Sequence, residues 1–278
     1  MERLFLQLSE SASKLTTELY STSFSSAIKI LHKDLRAPIF NIYGFVRLAD
    51  EIVDTFHQHD KAFLLADFKR QTYDAIERGI SLNPILHSFQ LTVNRYQIDH
   101  DLIEAFFHSM EMDLNQVNYD REKYEKYIYG SAEVVGLMCL FIFCDGNREQ
   151  YDALKGYARS LGAAFQKVNF LRDLKADYLG MERLYFPGCD FNNFSQRDKE
   201  IIEEDIQRDF DHAYQGILAL PPKARFGVYV AYKYYLSLFR KIKKVPPQNI
   251  LQYRIRIPDH GKMLILAKAG IRSQLNLL

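Results

Sequence analysis

Two stretches decide the reading of this chain: Arg47-Leu-Ala-Asp50-Glu51-Ile-Val-Asp54 and Gln166-Lys-Val-Asn169-Phe-Leu-Arg172-Asp173-Leu-Lys-Ala-Asp177. In an α-helix, Asp50 and Asp54 are four apart and Arg47 is three before Asp50, so the three side chains share a face while Ile52 and Val53 point elsewhere. Like charges at that spacing repel, and a divalent cation relieves the repulsion; Mg2+ takes one or two carboxylates together with water and diphosphate oxygens. Alone, this pair reads more simply as a solvated acidic face. The second stretch repeats the pattern. Asn169, Asp173 and Asp177 follow at four-residue steps, Gln166 lies about one turn earlier, and Val168, Phe170, Leu171 and Leu174 intervene, giving a polar stripe on an otherwise apolar helix. Unpartnered carboxylates are costly to bury, so such a stripe belongs against a cavity holding metal or water. Two such helices facing each other across a bundle can clamp a metal-bridged diphosphate, with Arg172 and Lys175 available for its charge.

Outward from these stretches the apolar residues recur at three- and four-residue spacings. Pro38 predicts the first turn of a helix over 39–56. Further helices are predicted over 60–80, 99–117, 120–143, 148–178, 195–220 and 224–244, with Gly79 and Gly180 as stops and Ser195 with Asp198 as a capping box. Pro221-Pro222 and Pro246-Pro247 separate the last helices. The single extended-looking piece is Arg183-Leu-Tyr185-Phe-Pro187. No parallel sheet can be assembled, and no glycine-rich phosphate loop is present, which excludes a Rossmann nucleotide site. The expected fold is all-α, one helical domain over residues 1–278, because no linker or fixed-period repeat divides the chain.

Composition agrees: 47% hydrophobic and 26% charged residues suit a globular protein with a substantial core. The rings are 20 Phe and 18 Tyr with no Trp, equally suited to an ordinary core and to a large apolar cavity. Cys139, Cys144 and Cys189 lack CxxC spacing and fit a reduced interior. The first eight residues have no apolar signal core, and the longest apolar run, 134–143, is too short to span a bilayer. The expected location is therefore cytoplasmic. From Pro222 onward there are 12 Lys/Arg against the single acid Asp259, leaving 24 Lys/Arg against 34 Asp/Glu, a net of −10, on the first 221 residues. A basic end of this kind serves as counter-charge to the acidic body or attaches the protein peripherally to anionic lipid on the inner face of a membrane. Nucleic acid is not an expected partner.

Over nearly its whole length the sequence resembles the squalene/phytoene synthase family, through Ser23-Phe24-Ser25, Asp50-Glu51-Ile-Val-Asp54, Tyr127-Ile-Tyr129 leading to Gly136, Asn169-Phe-Leu-Arg172-Asp173 ending at Asp177, and Arg183-Leu-Tyr185-Phe-Pro187. The form Asp-Glu-Ile-Val-Asp is similar to the phytoene-synthase branch. It departs from the family where Glu133 follows Ala132 in place of glycine, and where Gly180-Met-Glu-Arg183 stands for Arg-Gly-Arg. The resemblance implies an isoprenoid-synthase-type helical bundle with a central apolar cavity, and a prenyl transferase joining two prenyl diphosphates head to head through a cyclopropyl diphosphate. It implies Mg2+, or Mn2+, held by Asp50, Asp54, Asn169, Asp173 and Asp177. It further implies Arg47 and Arg172 (with Arg183) at the leaving diphosphate, Tyr127, Tyr129 and Gln166 near the carbocation, and Ser23, Phe24, Asn169 and Tyr185 on the substrate. No NADPH is expected.

Substrate length reads as C20, two geranylgeranyl diphosphates giving phytoene, since Ala132, Gly136, Gly162, Ala163 and Ala164 could leave room for a long chain. C15 coupling of farnesyl diphosphate to dehydrosqualene or squalene is the alternative. A non-catalytic lipid-binding or assembly factor on the same fold is a third reading, which the two intact aspartate pairs oppose. Head-to-tail elongases characteristically carry adjacent aspartates, and this chain has none.

Overall fold

Helix starts follow from side chains that can accept the orphan N–H groups of a first turn. Asp60 accepts from Phe63 N, Asp120 from Lys123 N, and both halves of the Ser195/Asp198 capping box are formed. The computed structural model describes residues 2–115, 119–180, 185–188, 194–250 and 254–274, with the side chains at 22, 23, 115, 175–180, 259, 273 and 274 outside the description. Among the described residues there is no strand. The helices are α1 (Glu2–Tyr20), α2 (Thr22–Ile30), α3 (Lys33–Asp54), α4 (Lys61–Arg78), α5 (Pro84–Tyr96), α6 (His100–Asn115), α7 (Arg121–Ile128), α8 (Val134–Phe143), α9 (Arg148–Gly180), α10 (Gln196–Ala219), α11 (Pro222–Lys243), α12 (Pro247–Ile250) and α13 (Asp259–Gln274).

Three differences from the sequence reading have physical causes. α3 begins at Lys33, capped by His32, and Pro38 lies inside it; its missing N–H forfeits a hydrogen bond, and the helix continues because its core face holds it. α7 and α8 are separated by a π turn, Tyr129–Glu133, which periodicity alone does not reveal. α1, α2, α5 and α13 were not among the predicted helices. α1 escapes notice because its buried face is Ser9, Ser13 and Thr17, so its apolar residues do not mark its inner side.

Two apolar clusters carry the bundle. The first joins α3 to α6 and α8 around Phe45, which is fully buried and stacked on Phe89 with centroids 3.8 Å apart. Truncating such a ring costs about 3–5 kcal/mol. The second joins α7, α9, α10 and α11, where Phe170 stacks on Tyr185 at 4.0 Å and Phe210 meets Phe239 at 5.7 Å. The fully buried Lys199 bonds Glu203 and donates to the Lys243 carbonyl (3.1 Å), tying the start of α10 to the end of α11. Among the described residues one helical stretch, Arg121–Phe143, is long and apolar enough to cross a membrane, but 61% of its apolar window is buried in the bundle. Its hydrophobicity is used by the core.

Candidate active site

α3 and α9 supply the two polar stripes, and both reach one cavity of about 710 Å3. Along α9 its wall runs from Asp173 through Asn169, Gln166, Phe165, Gly162 and Ala158 to Leu154, a length of about 28 Å at 1.5 Å per residue. On α3 the wall passes from Asp50 and Arg47 to Val46, Tyr43 and Ile39. The cavity is thus polar where the two helices bring Asp50 and Asp173, and apolar towards Leu31, Leu140, Phe143 and Leu220.

At the polar end of α3, Arg47 bonds Glu51 at 2.7 Å and approaches Asp50 at 3.6 Å, with its guanidinium 4.4 Å from the centre of the Tyr20 ring. Its buried Nε has no acceptor, which leaves a donor for an anion. Asp50 is the most perturbed carboxyl of the site. Burial raises its pKa to about 8; Arg47 opposes the rise, and the charges of Asp54, Asp113 and Glu51 add to it. A carboxyl in that position is short of positive charge.

The stripe on α9 is arranged differently. Asp173 holds Arg172 at 2.5 Å and Arg254 at 2.7 Å. Arg256 and Lys262 line the same cavity. Asn169 accepts from Tyr235 at 3.4 Å and donates to Gln166 at 3.5 Å, long contacts with room to re-form around a ligand. Among the described residues no three acidic, His or Cys side chains converge tightly enough to hold a metal by themselves. A cation held between Asp50 and Asp173 would therefore need further ligands such as diphosphate oxygens and water.

Rings form the middle of the cavity. Phe24 lies 4.6 Å from Tyr43 and 5.9 Å from Tyr235, and Tyr235 stacks on Phe165 at 3.9 Å. Burial holds the Tyr43 phenol well above its usual range and pushes Tyr235 to about 12, so both stay neutral. Cys139, in the same wall, is pushed to about 12 and remains a thiol.

The residues singled out in the sequence are distributed as follows. Phe24, Arg47, Asp50, Gln166, Asn169, Arg172 and Asp173 line the cavity, and Asp54 sits one turn beyond Asp50 at the end of α3. Tyr127 is buried in the second cluster and donates to Asp113 at 2.9 Å, which places it one carboxylate away from Asp50. Tyr129 packs against the first cluster beneath Arg159, 5.2 Å from its ring centre, and Tyr185 stacks on Phe170; neither is in the wall. Arg183 and the side chains of Ser23 and Asp177 lie outside the described residues. Glu133 turns to Arg159 at 2.6 Å instead of into the cavity. Ala132, Gly136 and Gly162 line the cavity, whereas Ala163 and Ala164 are core.

Comparison with known proteins agrees with this geometry. The profile of the squalene/phytoene synthase family matches residues 17–260. The chain belongs to that family. Its members are prenyl transferases acting on prenyl diphosphates. The chain is 26% identical to the phytoene synthase of Arthrospira platensis over 93% of its own length and 91% of the relative's. It is 28% identical to the 4,4'-diapophytoene synthase of Staphylococcus haemolyticus over 68% and 65% of the two chains. The crystal structure of a dehydrosqualene synthase in complex with ligand superposes with a TM-score of 0.82 at 20% identity, covering 98% of each chain, and shares the isoprenoid-synthase-type helical fold.

Sequence reasoning missed Asp113, Arg254, Arg256 and Lys262. Asp113 had no partner aspartate at helical spacing to draw notice. The last three belong to the basic excess after Pro222, whose sign was legible but whose target needed the fold.

Proposed function

We propose that this protein condenses two prenyl diphosphates head to head, taking two geranylgeranyl diphosphates to phytoene through a cyclopropyl diphosphate. The observation that carries the proposal is the polarity of the cavity: carboxylates and guanidinium groups at one end, rings and aliphatic side chains along the rest. Likeness to a phytoene synthase over nearly the full chain supports the C20 substrate. Likeness to a diapophytoene synthase supports a second reading, C15 coupling of farnesyl diphosphate.

Mg2+, or Mn2+, fits Asp50 because that carboxyl is half-buried, lines the cavity, is short of positive charge and lies near Asp54. Asp173 would serve from α9, with Asn169 and Asp177. Bound there, the ion would supply Lewis-acid charge to the departing diphosphate. The protein's own part follows from its side chains. Arg47, through its unfilled Nε, and Arg172, Arg254, Arg256 and Lys262 bind diphosphate oxygens and stabilise the charge that develops as the allylic C–O bond breaks. Phe24, Tyr43, Phe165 and Tyr235 exclude water and present neutral ring faces to the cation. Tyr127 holds Asp113, which in turn bears on Asp50. No reductant is needed for this product.

The direct test is incubation with C15 and C20 diphosphates and Mg2+, without NADPH, followed by product identification. Phytoene is expected. Dehydrosqualene from C15 alone would favour the second reading, and no coupled product with either would refute both. We also propose that α13 meets anionic lipid, since Met263, Leu264 and Ile271 are exposed beside Lys268 and Arg272; co-sedimentation with anionic liposomes that is lost at high salt is the expected behaviour.

A further inference from the structure

α1 has its residue types the wrong way round for a surface helix. Its buried face is Ser9, Ser13 and Thr17, and Ser13 meets Ser88 of α5 at 2.7 Å. These small side chains let the helix lie close against α3, where a Cβ on Gly44 would fall 2.7 Å from that of Ser13. Four of its five leucines point outward, and Leu6 is half-buried. Leu4, Leu8, Leu15 and Leu19 are 70%, 55%, 55% and 71% exposed. At 100° per residue they fall within a stripe about 60° wide. Four aligned leucines on a rigidly seated helix form a patch that calls for a partner.

The order of the stripe says which partner. Its spacings are four, seven and four, the same read in either direction, with Ser11 and Ala12 at the centre. The exposures repeat in mirror order. A twofold interface requires such self-complementarity, because residue i must meet j while j meets i. The neighbouring flank carries Arg3, Glu10, Lys14 and Glu18, alternating in sign. Reversed, that order sets Arg3 towards Glu18 and Lys14 towards Glu10, opposite charges throughout. Glu18 already holds Lys29 at 2.8 Å and has a second oxygen to share. A membrane fits less well, since α1 carries three acids and two bases.

We propose that two copies of this chain associate through α1, antiparallel about a twofold axis between Ser11 and Ala12, with Leu4 on the partner subunit's Leu19 and Leu8 on the partner subunit's Leu15. Small residues at the crossing point allow close approach. A helix pair about 28 Å long buries less than the roughly 800 Å2 per partner of a standard interface. The dimer should therefore be concentration-dependent, with a dissociation constant of about micromolar order.

The test is sedimentation velocity of the full chain across the micromolar range, with Leu8→Glu and Leu15→Glu beside wild type. Wild type should shift from monomer to dimer, and each variant should stay monomeric with unchanged circular dichroism. Register is read by disulfide trapping in a Cys189→Ser background. A mixture of Leu8→Cys and Leu15→Cys chains should form the mixed disulfide, and either chain alone should form little. A monomeric wild type at every concentration overturns the proposal. So does a dimer untouched by both glutamates, or disulfide formation by Leu8→Cys alone as fast as in the mixture. If wild type is monomeric but binds liposomes and Leu8→Glu does not, the stripe is a lipid contact and the dimer is refuted.

Discussion

Asp50 and Asp173 face the same cavity from opposite helices, but the fold treats them differently. Asp50 is half-buried among Glu51, Asp54 and Asp113 with Arg47 as its nearby cation, and its carboxyl is pushed up to about 8. Asp173 is held by two guanidinium groups, from Arg172 and Arg254. One side therefore lacks positive charge until something brings it, while the other has its charge met from within the chain. On the proposed reading a diphosphate with its cations would suit both: the cations would be held near Asp50, and the anion would draw arginines away from Asp173.

The largest effect expected from breaking this comparison is on turnover. Asp50→Ala and Asp173→Ala should each lower product formation by at least two orders of magnitude, measured as coupled prenyl product, with helicity intact by circular dichroism. Near-normal product from either variant would remove that residue from the site.

The amide variants should separate the two sides in stability. Protonated Asp50 favours the metal-free fold, because its folded pKa of about 8 lies above the ordinary 3.8. Its contribution is complete below about 4 and is lost as pH rises through 8, an effect of the order of a few kcal/mol. Metal-free wild type should thus lose thermal stability over that window, and Asp50→Asn should flatten the loss and melt higher at pH 8. Asp173→Asn should melt lower than wild type, since it leaves Arg172 and Arg254 without their counter-charge. Equal shifts in the two variants would erase the contrast.

A smaller effect is expected from Arg254, which is half exposed. Arg254→Ala should raise KM for the prenyl diphosphate about tenfold, equivalent to about 1.4 kcal/mol, with a lesser change in kcat. An unchanged KM would make Arg254 a partner of Asp173 only.

The last effect concerns chain length, at the end of the cavity far from both aspartates. Ala158→Phe should suppress C20 coupling more than C15 coupling, in line with roughly 1–3 kcal/mol for an intruding ring. Gly136 is a poorer probe, because a Cβ there points at the Ala158 carbonyl 3.1 Å away. Gly136→Phe should wedge α8 from α9 and depress both lengths alike. Equal loss of both substrates in Ala158→Phe would place the chain ends elsewhere.

How far the sequence could be read depended on what kind of spacing carried each feature. The aspartate stripes were legible because four-residue steps are a local property of a helix. Helices with a capping residue and an ordinary apolar face, such as 61–78, were legible for the same reason. α1 was not, since its inward face is polar and its outward face apolar. Tyr127 illustrates another limit: its position near Gly136 was visible, but its bond to Asp113 joins two helices whose packing no spacing encodes. Arg254 and Asp173 are 81 residues apart, and only the folded chain brings their charges together.

The π turn at Tyr129–Glu133 has one consequence for altering this protein. By holding an extra residue in a single turn, it advances the helix that follows by about 100°. Tyr124 and Tyr127 before it face the second core, while Val135, Gly136 and Cys139 after it face the cavity. One continuous rod thereby acts as a rotary joint between two packing environments. Removing one residue from the turn would keep the rod and nearly all its hydrogen bonds, yet swing the cavity wall out of register; adding or deleting residues here is a coarser tool than any point substitution for reshaping the chamber.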